Sequence, residues 1–377
     1  MKRKSNATIF FAALLALLAG CGARAGQLPR SQLLAQLDVP PGFAIEILVD
    51  GLDSARSLAR GDGGTLFVGT STAGKVYAVR FDAGGTPALH TLASGLNMPN
   101  GVAFHERALY VAEVDRIVRY DDIESRLDRP PTPVLIAELP KERHHGRRYL
   151  AFGPDGKLYT AIGAPCNVCD REGFAEIIRM NPDGSARETV ARGVRNTVGF
   201  DWHPGSAEMW FTDNGRDLLG DDAPPCELNR VAAGSDSPHY GFPFCHGIDI
   251  KDPQFGSGID CARFIAPVQP LGAHVAPLGL RFYTGHQFPA QYRDQAFIAE
   301  HGSWNRTRKS GYRISLVRLS GNGAANYDSF ASGWLRPDDT VIGRPVDLLI
   351  DPDGSLLVSD DMNGLVYRIH YRGNANN

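Results

Sequence analysis

Long apolar runs, clustered basic residues and helical periodicity are all scarce in this sequence of 377 residues. The one extended apolar run, from Ile9 to Cys21, is about a dozen residues, too short to cross some 30 Å of hydrocarbon comfortably as a helix. No Lys/Arg cluster is long enough to leave an electrostatic footprint on nucleic acid, and the formal net charge is −3, so a nucleic-acid partner is not expected. At 43% hydrophobic and 21% charged, the composition excludes a disordered, collagen-like or coiled-coil chain. What is plentiful is turn chemistry: 42 Gly and 25 Pro, spread without period. The length admits two or three ordinary domains, or one large all-β or α/β-barrel domain.

The N-terminus reads as an export signal over residues 1–20: Met1-Lys2-Arg3-Lys4 is a charged start, followed by a short apolar core that ends in small residues. Leu18-Ala19-Gly20-Cys21 resembles the bacterial lipobox, whose cysteine is acylated and becomes the mature N-terminus; ordinary cleavage after Ala23 or Ala25 is the alternative. On the lipobox reading the chain is exported and lipid-anchored at Cys21, in the periplasm or on the cell-envelope membrane, held without a spanning helix. Residues 21–40 then form a linker with a short helical piece over Ser31–Leu37, residues 41–372 one domain, and residues 373–377 a tail. Losing Lys2, Arg3 and Lys4 takes the mature net charge to about −6.

Cysteine is also sparse. Beyond Cys21 there are five, an odd number, so at least one thiol is left over. Export permits disulfides. Cys166-Asn167-Val168-Cys169 lies in a loop beside Pro165, not at a strand-to-helix junction, and no second pair completes a zinc site; a local structural disulfide is expected. Connectivity among Cys226, Cys245 and Cys261 is open.

A repeat runs through the chain. Pro-Asp-Gly turns recur at 154–156, 182–184 and 352–354, where Pro presets φ and Gly accepts φ > 0. Around them three short apolar strands return six times, beginning near Ser57, Gly101, Tyr149, Val198, Gly279 and Val346. This pattern predicts an all-β, six-bladed β-propeller, with Phe43–Val49 supplying the outer strand that closes the last blade. The largest insertions, 121–145, 216–272 and 300–313, are long loops of the kind that build sites.

The candidate functional residues fall just before innermost strands or just after second strands. His144-His145, Arg195-Asn196, His274 and Arg344 precede the third, fourth, fifth and sixth units. Asp213 to Asp217 and His301 to Arg306 follow second strands. Loops before innermost strands open at the mouth of the central channel, so His145, Arg195, Asn196, His274 and Arg344 are expected to converge on one axial site. Basic groups gathered there suit a small polyanion.

These residues resemble those of the pyrroloquinoline quinone (PQQ) dependent soluble glucose, aldose-sugar and sorbosone-type dehydrogenases, over roughly residues 40–372. The resemblance is carried by His145 eight residues before Gly153-Pro154-Asp155-Gly156, by Gly193-Val194-Arg195-Asn196, by Thr212-Asp213-Asn214-Gly215-Arg216, by His274-Val275-Ala276-Pro277 and by Gly343-Arg344-Pro345. It implies that His145 is a general base and that Arg195 and Asn196 sit beside the reactive quinone carbonyl. His274, Arg306 and Arg344 are implied as further cofactor contacts, and the backbone carbonyls of Gly215 and Arg216 as calcium ligands. A flat tricarboxylate calls for cations, which arginine supplies well; calcium would act as a Lewis acid on the quinone oxygen. The activity implied is oxidation of the C1 hemiacetal or aldehyde of a sugar, with electrons passed to a cytochrome, quinone or dye.

Two departures bear on the substrate. His144 stands where the glucose enzymes carry an aspartate that contacts the sugar, and the run Gly163-Ala164-Pro165-Cys166 replaces another of their acids. Both changes resemble the sorbosone and pyranose branches more. The competing readings are a calcium-dependent propeller lactonase or hydrolase, which needs converging carboxylates, and a non-catalytic exported binding propeller, which needs no axial His-Arg-Asn set.

Overall fold

The computed structural model describes residues 28–321 and 323–373, so the export signal, Cys21 and the end of the tail lie outside the described residues. Within them the chain forms six four-stranded antiparallel sheets arranged as a six-bladed β-propeller. From the inner strand outward, blade 1 is Ala55–Arg60, Leu66–Thr70, Val76–Phe81 and Pro87–Ala93. Blade 2 is Gly101–His105, Ala108–Ala112, Arg116–Tyr120 and Val134–Glu138; blade 3 is Leu150–Phe152, Leu158–Ile162, Glu176–Met180 and Glu188–Arg192. Blade 4 is Phe200–Trp202, Met209–Asp213, Pro225–Val231 and Gln269–Ala273; blade 5 is Pro277–Phe282, Ala296–Glu300, Arg313–Ser320 and Gly323–Ala331. Blade 6 takes Pro345–Ile350, Leu356–Asp360 and Leu365–Tyr371 from the end of the chain and Phe43–Val49 from its beginning, Phe43 opposite Tyr371. The ring is closed as the repeat predicts.

The second strand of every blade is buried at every position, which is why each begins as a mainly apolar run; in blades 4, 5 and 6 it ends in a buried carboxylate, Asp213, Glu300 and Asp360. The core is divided accordingly into wedges between neighbouring blades. Phe67, Val102 and Leu109 fill the wedge between blades 1 and 2, and Trp210, Leu228 and Phe282 the one between blades 4 and 5. At the axis Val198, Leu278 and Val346 meet. Buried polar bonds tie the inner strands together. Asp347 of blade 6 accepts from the Leu58 amide of blade 1 at 2.9 Å, and Asp201 of blade 4 from the Phe282 amide of blade 5 at 2.9 Å.

Residues 28–40 are more than a linker. The helix is shorter than expected, Arg30–Leu34, and Leu33 and Leu37 are buried in the core shared by blades 5 and 6. Asp38 bridges to Ser332. In the 216–272 insertion a small ribbon, Cys245–His246 with Ile250–Lys251, is fastened by a Cys245–Cys261 disulfide. Cys166 and Cys169 are joined as expected, and among the described residues Cys226 is a free, buried thiol.

Candidate active site

The loops leading into the inner strands of blades 3 to 6 surround a cavity of about 560 Å³. His145, Arg195, Asn196, Gly215, His274 and Arg344 all line it. The convergence inferred from the repeat is therefore present. Arg216 and Arg306 are not among the lining residues.

His145 sits in the left-handed region, φ 50°, in the loop before blade 3. Its Nδ1 lies 2.8 Å from the Ala164 carbonyl. A carbonyl only accepts, so Nδ1 carries the proton and neutral His145 keeps a lone pair on Nε2. Burial, then the positive charge of Arg195 and the neighbouring His144, push its pKa down to about 2. Both effects favour the neutral imidazole. Gly163 makes room for it: a Cβ there would stand 2.6 Å from the His145 Cβ.

Arg195 and Asn196 precede blade 4, and one buried carboxylate fixes both. Asp213 accepts from the Arg195 amide at 2.7 Å and from the Asn196 amide at 2.6 Å. Asp213 is almost fully buried, and burial lifts its pKa to about 6. The Arg195 guanidinium is saturated. Nε donates to the Asn167 carbonyl at 2.9 Å, Nη1 to the carbonyls of Asn214 at 3.2 Å and Gly215 at 2.8 Å, and Nη2 to Asn167 Oδ1 at 2.8 Å and Asp217 at 3.0 Å. All five N–H groups are used, so Arg195 offers the cavity charge and no hydrogen bond. The Asn196 side-chain amide, by contrast, has no protein partner among the described residues and lines the cavity.

On the far side, His274 precedes blade 5 at φ 61° with Nε2 2.8 Å from the Gly220 carbonyl. Arg344 precedes blade 6 and gives only Nε, to Asp361 at 2.9 Å. Asp361 also takes Arg56 Nη1 at 3.0 Å and lies 3.1 Å from His301 Nε2. Burial works to raise its pKa, but His301, Arg56 and Arg344 outweigh that and hold it well below the usual carboxylate range. Arg147 commits Nε to Ser71 at 3.0 Å. Arg56, Arg147 and Asp361 went unselected from the sequence. Asp361 follows the second strand of its blade, the position already singled out in blades 4 and 5, so that signal was available. Arg56 lies inside an inner strand, the one charge in Ala55-Arg56-Ser57-Leu58-Ala59.

Arg306 serves the rim. It donates to the Asp221 carbonyl at 3.0 Å and to Asp222 at 2.8 Å, fastening the 300–313 loop to the 216–224 loop. Arg216 turns away to pair with Asp252. Among the described residues no group of three or more His, Cys, Asp or Glu side chains comes together in a metal-holding cluster.

Arg56, Arg143, Arg147, Arg195 and Arg344 line the cavity together with Asp217 and Asp361, an excess of three positive charges with histidines left out of the count. An excess of positive charge in a polar cavity favours an anionic ligand.

The TrAA12-like family model matches residues 37–372. An uncharacterized protein of Borreliella burgdorferi (strain ATCC 35210 / B31) is 34% identical over 356 residues, 90% of this chain and 92% of its own. Among solved structures, the Trichoderma reesei enzyme of Carbohydrate-Active Enzymes family AA12 superposes with a TM-score of 0.78 at 21% identity, covering 89% of this chain and 97% of that one. The PQQ domain of Coprinopsis cinerea pyranose dehydrogenase, in its holo form, gives 0.74 at 18% identity, with coverage of 89% and 97%. The PQQ-bound aldose sugar dehydrogenase of Streptomyces coelicolor gives 0.63 at 21% identity, with coverage of 88% and 100%. These three share the fold.

Proposed function

The chain belongs to the TrAA12-like family, and from that premise we propose that it is a PQQ-dependent dehydrogenase oxidising the C1 hemiacetal or aldehyde of a sugar. One observation carries the reading: a cavity with three excess positive charges faces a histidine whose Nε2 lone pair is free. The names of the fold relatives, PQQ-bound aldose sugar dehydrogenase and pyranose dehydrogenase PQQ domain, support it.

PQQ carries three carboxylates, and the charge excess fits that number. Among the described residues Arg147 and Arg344 each spend only Nε on the protein's own side and main chain. They, with Arg56, the Asn196 amide and His274, are the residues that would hold it. When bound, the quinone would supply the acceptor for hydride and its two electrons. His145 would take the substrate hydroxyl proton at Nε2 while its Nδ1–H stays on Ala164, so that the ring does not turn as it charges. Arg195 would stabilise developing negative charge through its field, at fixed distance and without reorganising.

Calcium fits less well. The Gly215 carbonyl, one of the two expected ligands, already accepts Arg195 Nη1, so an ion there would stand against a guanidinium. No step is assigned to it. The hydrolase alternative gains nothing either, because both cavity carboxylates, Asp217 and Asp361, are held by arginines. Export and a lipid anchor at Cys21 complete the proposal; mass spectrometry of the N-terminal peptide from a membrane fraction tests that part.

The test of the activity is dye-linked turnover of PQQ-supplemented protein across a panel of aldoses and aldehyde sugars. Saturable reduction of the dye that requires both PQQ and sugar is expected. No turnover with any member, despite bound PQQ, overturns the dehydrogenase.

A further inference from the structure

Between the second and third strands of blade 3 the chain runs Gly163-Ala164-Pro165-Cys166-Asn167-Val168-Cys169, and the Cys166–Cys169 disulfide closes its end. Asn167 does not line the cavity. Yet this one loop holds both residues assigned to the chemistry. The Ala164 carbonyl accepts from His145 Nδ1 at 2.8 Å, and the Ala164 amide donates to the Arg195 carbonyl at 2.8 Å. The Asn167 carbonyl and Oδ1 take Arg195 Nε at 2.9 Å and Nη2 at 2.8 Å. Oδ1 also accepts from the Asp217 amide at 3.0 Å, and Nδ2 donates to the Asp217 carbonyl at 3.1 Å, which keeps the Asp217 carboxylate beside the same guanidinium.

We propose that Asn167, on its disulfide-closed turn, is a positioning residue for the reaction: it acts through Arg195, holding the guanidinium as a fixed charge beside His145. The inference rests on the dehydrogenase reading above. The residue type follows from the bonds. Two N–H groups converge on Oδ1, which an amide or carboxylate oxygen can serve, while the Asp217 carbonyl needs a donor, which only the amide supplies. Alanine keeps the backbone carbonyl and loses the three side-chain bonds. Aspartate keeps both acceptances at Oδ1. The disulfide restricts the backbone of a turn that has no strand partners of its own, so the Asn167 carbonyl stays aimed at Arg195 Nε.

The experiment compares full-length mature protein, loaded with PQQ, as wild type, Asn167→Ala, Asn167→Asp, Arg195→Ala and the Arg195→Ala/Asn167→Ala double variant. Asn167→Ala is expected to lower kcat about 10- to 100-fold, the usual range for partners that orient active-site groups, with KM for the sugar little changed. Asn167→Asp is expected to recover only part of that loss, because it keeps the acceptances at Oδ1 but adds a negative charge beside the guanidinium and loses the donation to Asp217. Because Asn167 acts through Arg195, adding Asn167→Ala to Arg195→Ala should cost nothing further. Full additivity, or an unchanged kcat in Asn167→Ala, would overturn the proposal. Should Asn167→Ala fail to fold, judged by its melting curve, Asn167→Asp and the Cys166→Ser/Cys169→Ser pair carry the same comparison.

A second readout needs neither PQQ nor sugar. Imidazole NMR of the cofactor-free protein should show the His145 signals displaced in Asn167→Ala as the Arg195 charge moves away; unmoved signals count against the proposal. If no sugar is oxidised by wild type, the dehydrogenase reading falls, and this spectrum still decides the role of Asn167.

Discussion

At His145 one backbone carbonyl decides which nitrogen is left to do chemistry. Ala164 takes the Nδ1 proton, and burial with the charge of Arg195 keeps the ring neutral. Imidazole NMR of the cofactor-free protein should therefore report the Nδ1–H tautomer unchanged down to pH 5; a signal titrating near 6.5 would contradict this. His145→Ala should lower kcat by about 10²- to 10⁴-fold, the contribution typical of a positioned base, while PQQ binding persists. Away from the cavity, Glu227 shows the same physics with the sign reversed. Burial and nearby Asp213 push it up to about 8, so the folded protein holds a proton that the unfolded chain has released. Stability then falls as pH rises from the unfolded carboxylate range to about 8. Through this range the slope from this one proton is at most about 1.4 kcal/mol per pH unit, and above about pH 7.5 it is largely clear of the titration of unfolded histidines. Glu227→Gln should flatten it in denaturant titrations, the buried and unpartnered Asn229 Oδ1 offering the new amide an acceptor.

At the level of elements, what was legible tracks burial. The inner three strands of each blade announce themselves because their apolar runs are enclosed by neighbours. Four-stranded blades were not legible as such: outer strands such as Pro87–Ala93 and Val134–Glu138 face solvent and carry little apolar pattern. The site divides in a similar way. Side chains at blade entrances could be selected by position, whereas the carbonyls of Ala164, Asn167 and Gly220 that orient them have no side-chain signature. Arg306 was selected from a loop whose local bonds, to Asp221 and Asp222, were unreadable. Gly163 couples the blade 3 loop to the site, since a methyl there drives into His145. Gly163→Ala should lower kcat about 10- to 100-fold with the fold retained, because a displacement near 1 Å at a reacting group costs that much. Ring closure can be tested at Phe43, whose ring meets Phe288, Tyr292, Phe330 and Tyr371 edge-on at 4.7–5.4 Å. Phe43→Ala should cost about 2–4 kcal/mol in chemical denaturation.

Seen whole, the molecule sets an electropositive cavity inside a chain of formal net charge −3. The blades bring arginines from separate loops to one axis, and the neighbouring aspartates cancel only part of their charge. Affinity for PQQ should accordingly weaken as ionic strength rises, the exposed Arg143 and Arg147 being screened first. The most direct measurement is the absorption spectrum of PQQ titrated with wild-type protein and with Arg344→Ala and His145→Ala variants, followed by addition of sugar. Saturable binding to wild type is expected, with weakened binding to Arg344→Ala, and a spectrum that bleaches with sugar in wild type and about 10²- to 10⁴-fold more slowly in His145→Ala. Absence of saturable PQQ binding to wild type, or bleaching that keeps its wild-type rate without His145, would overturn the dehydrogenase reading.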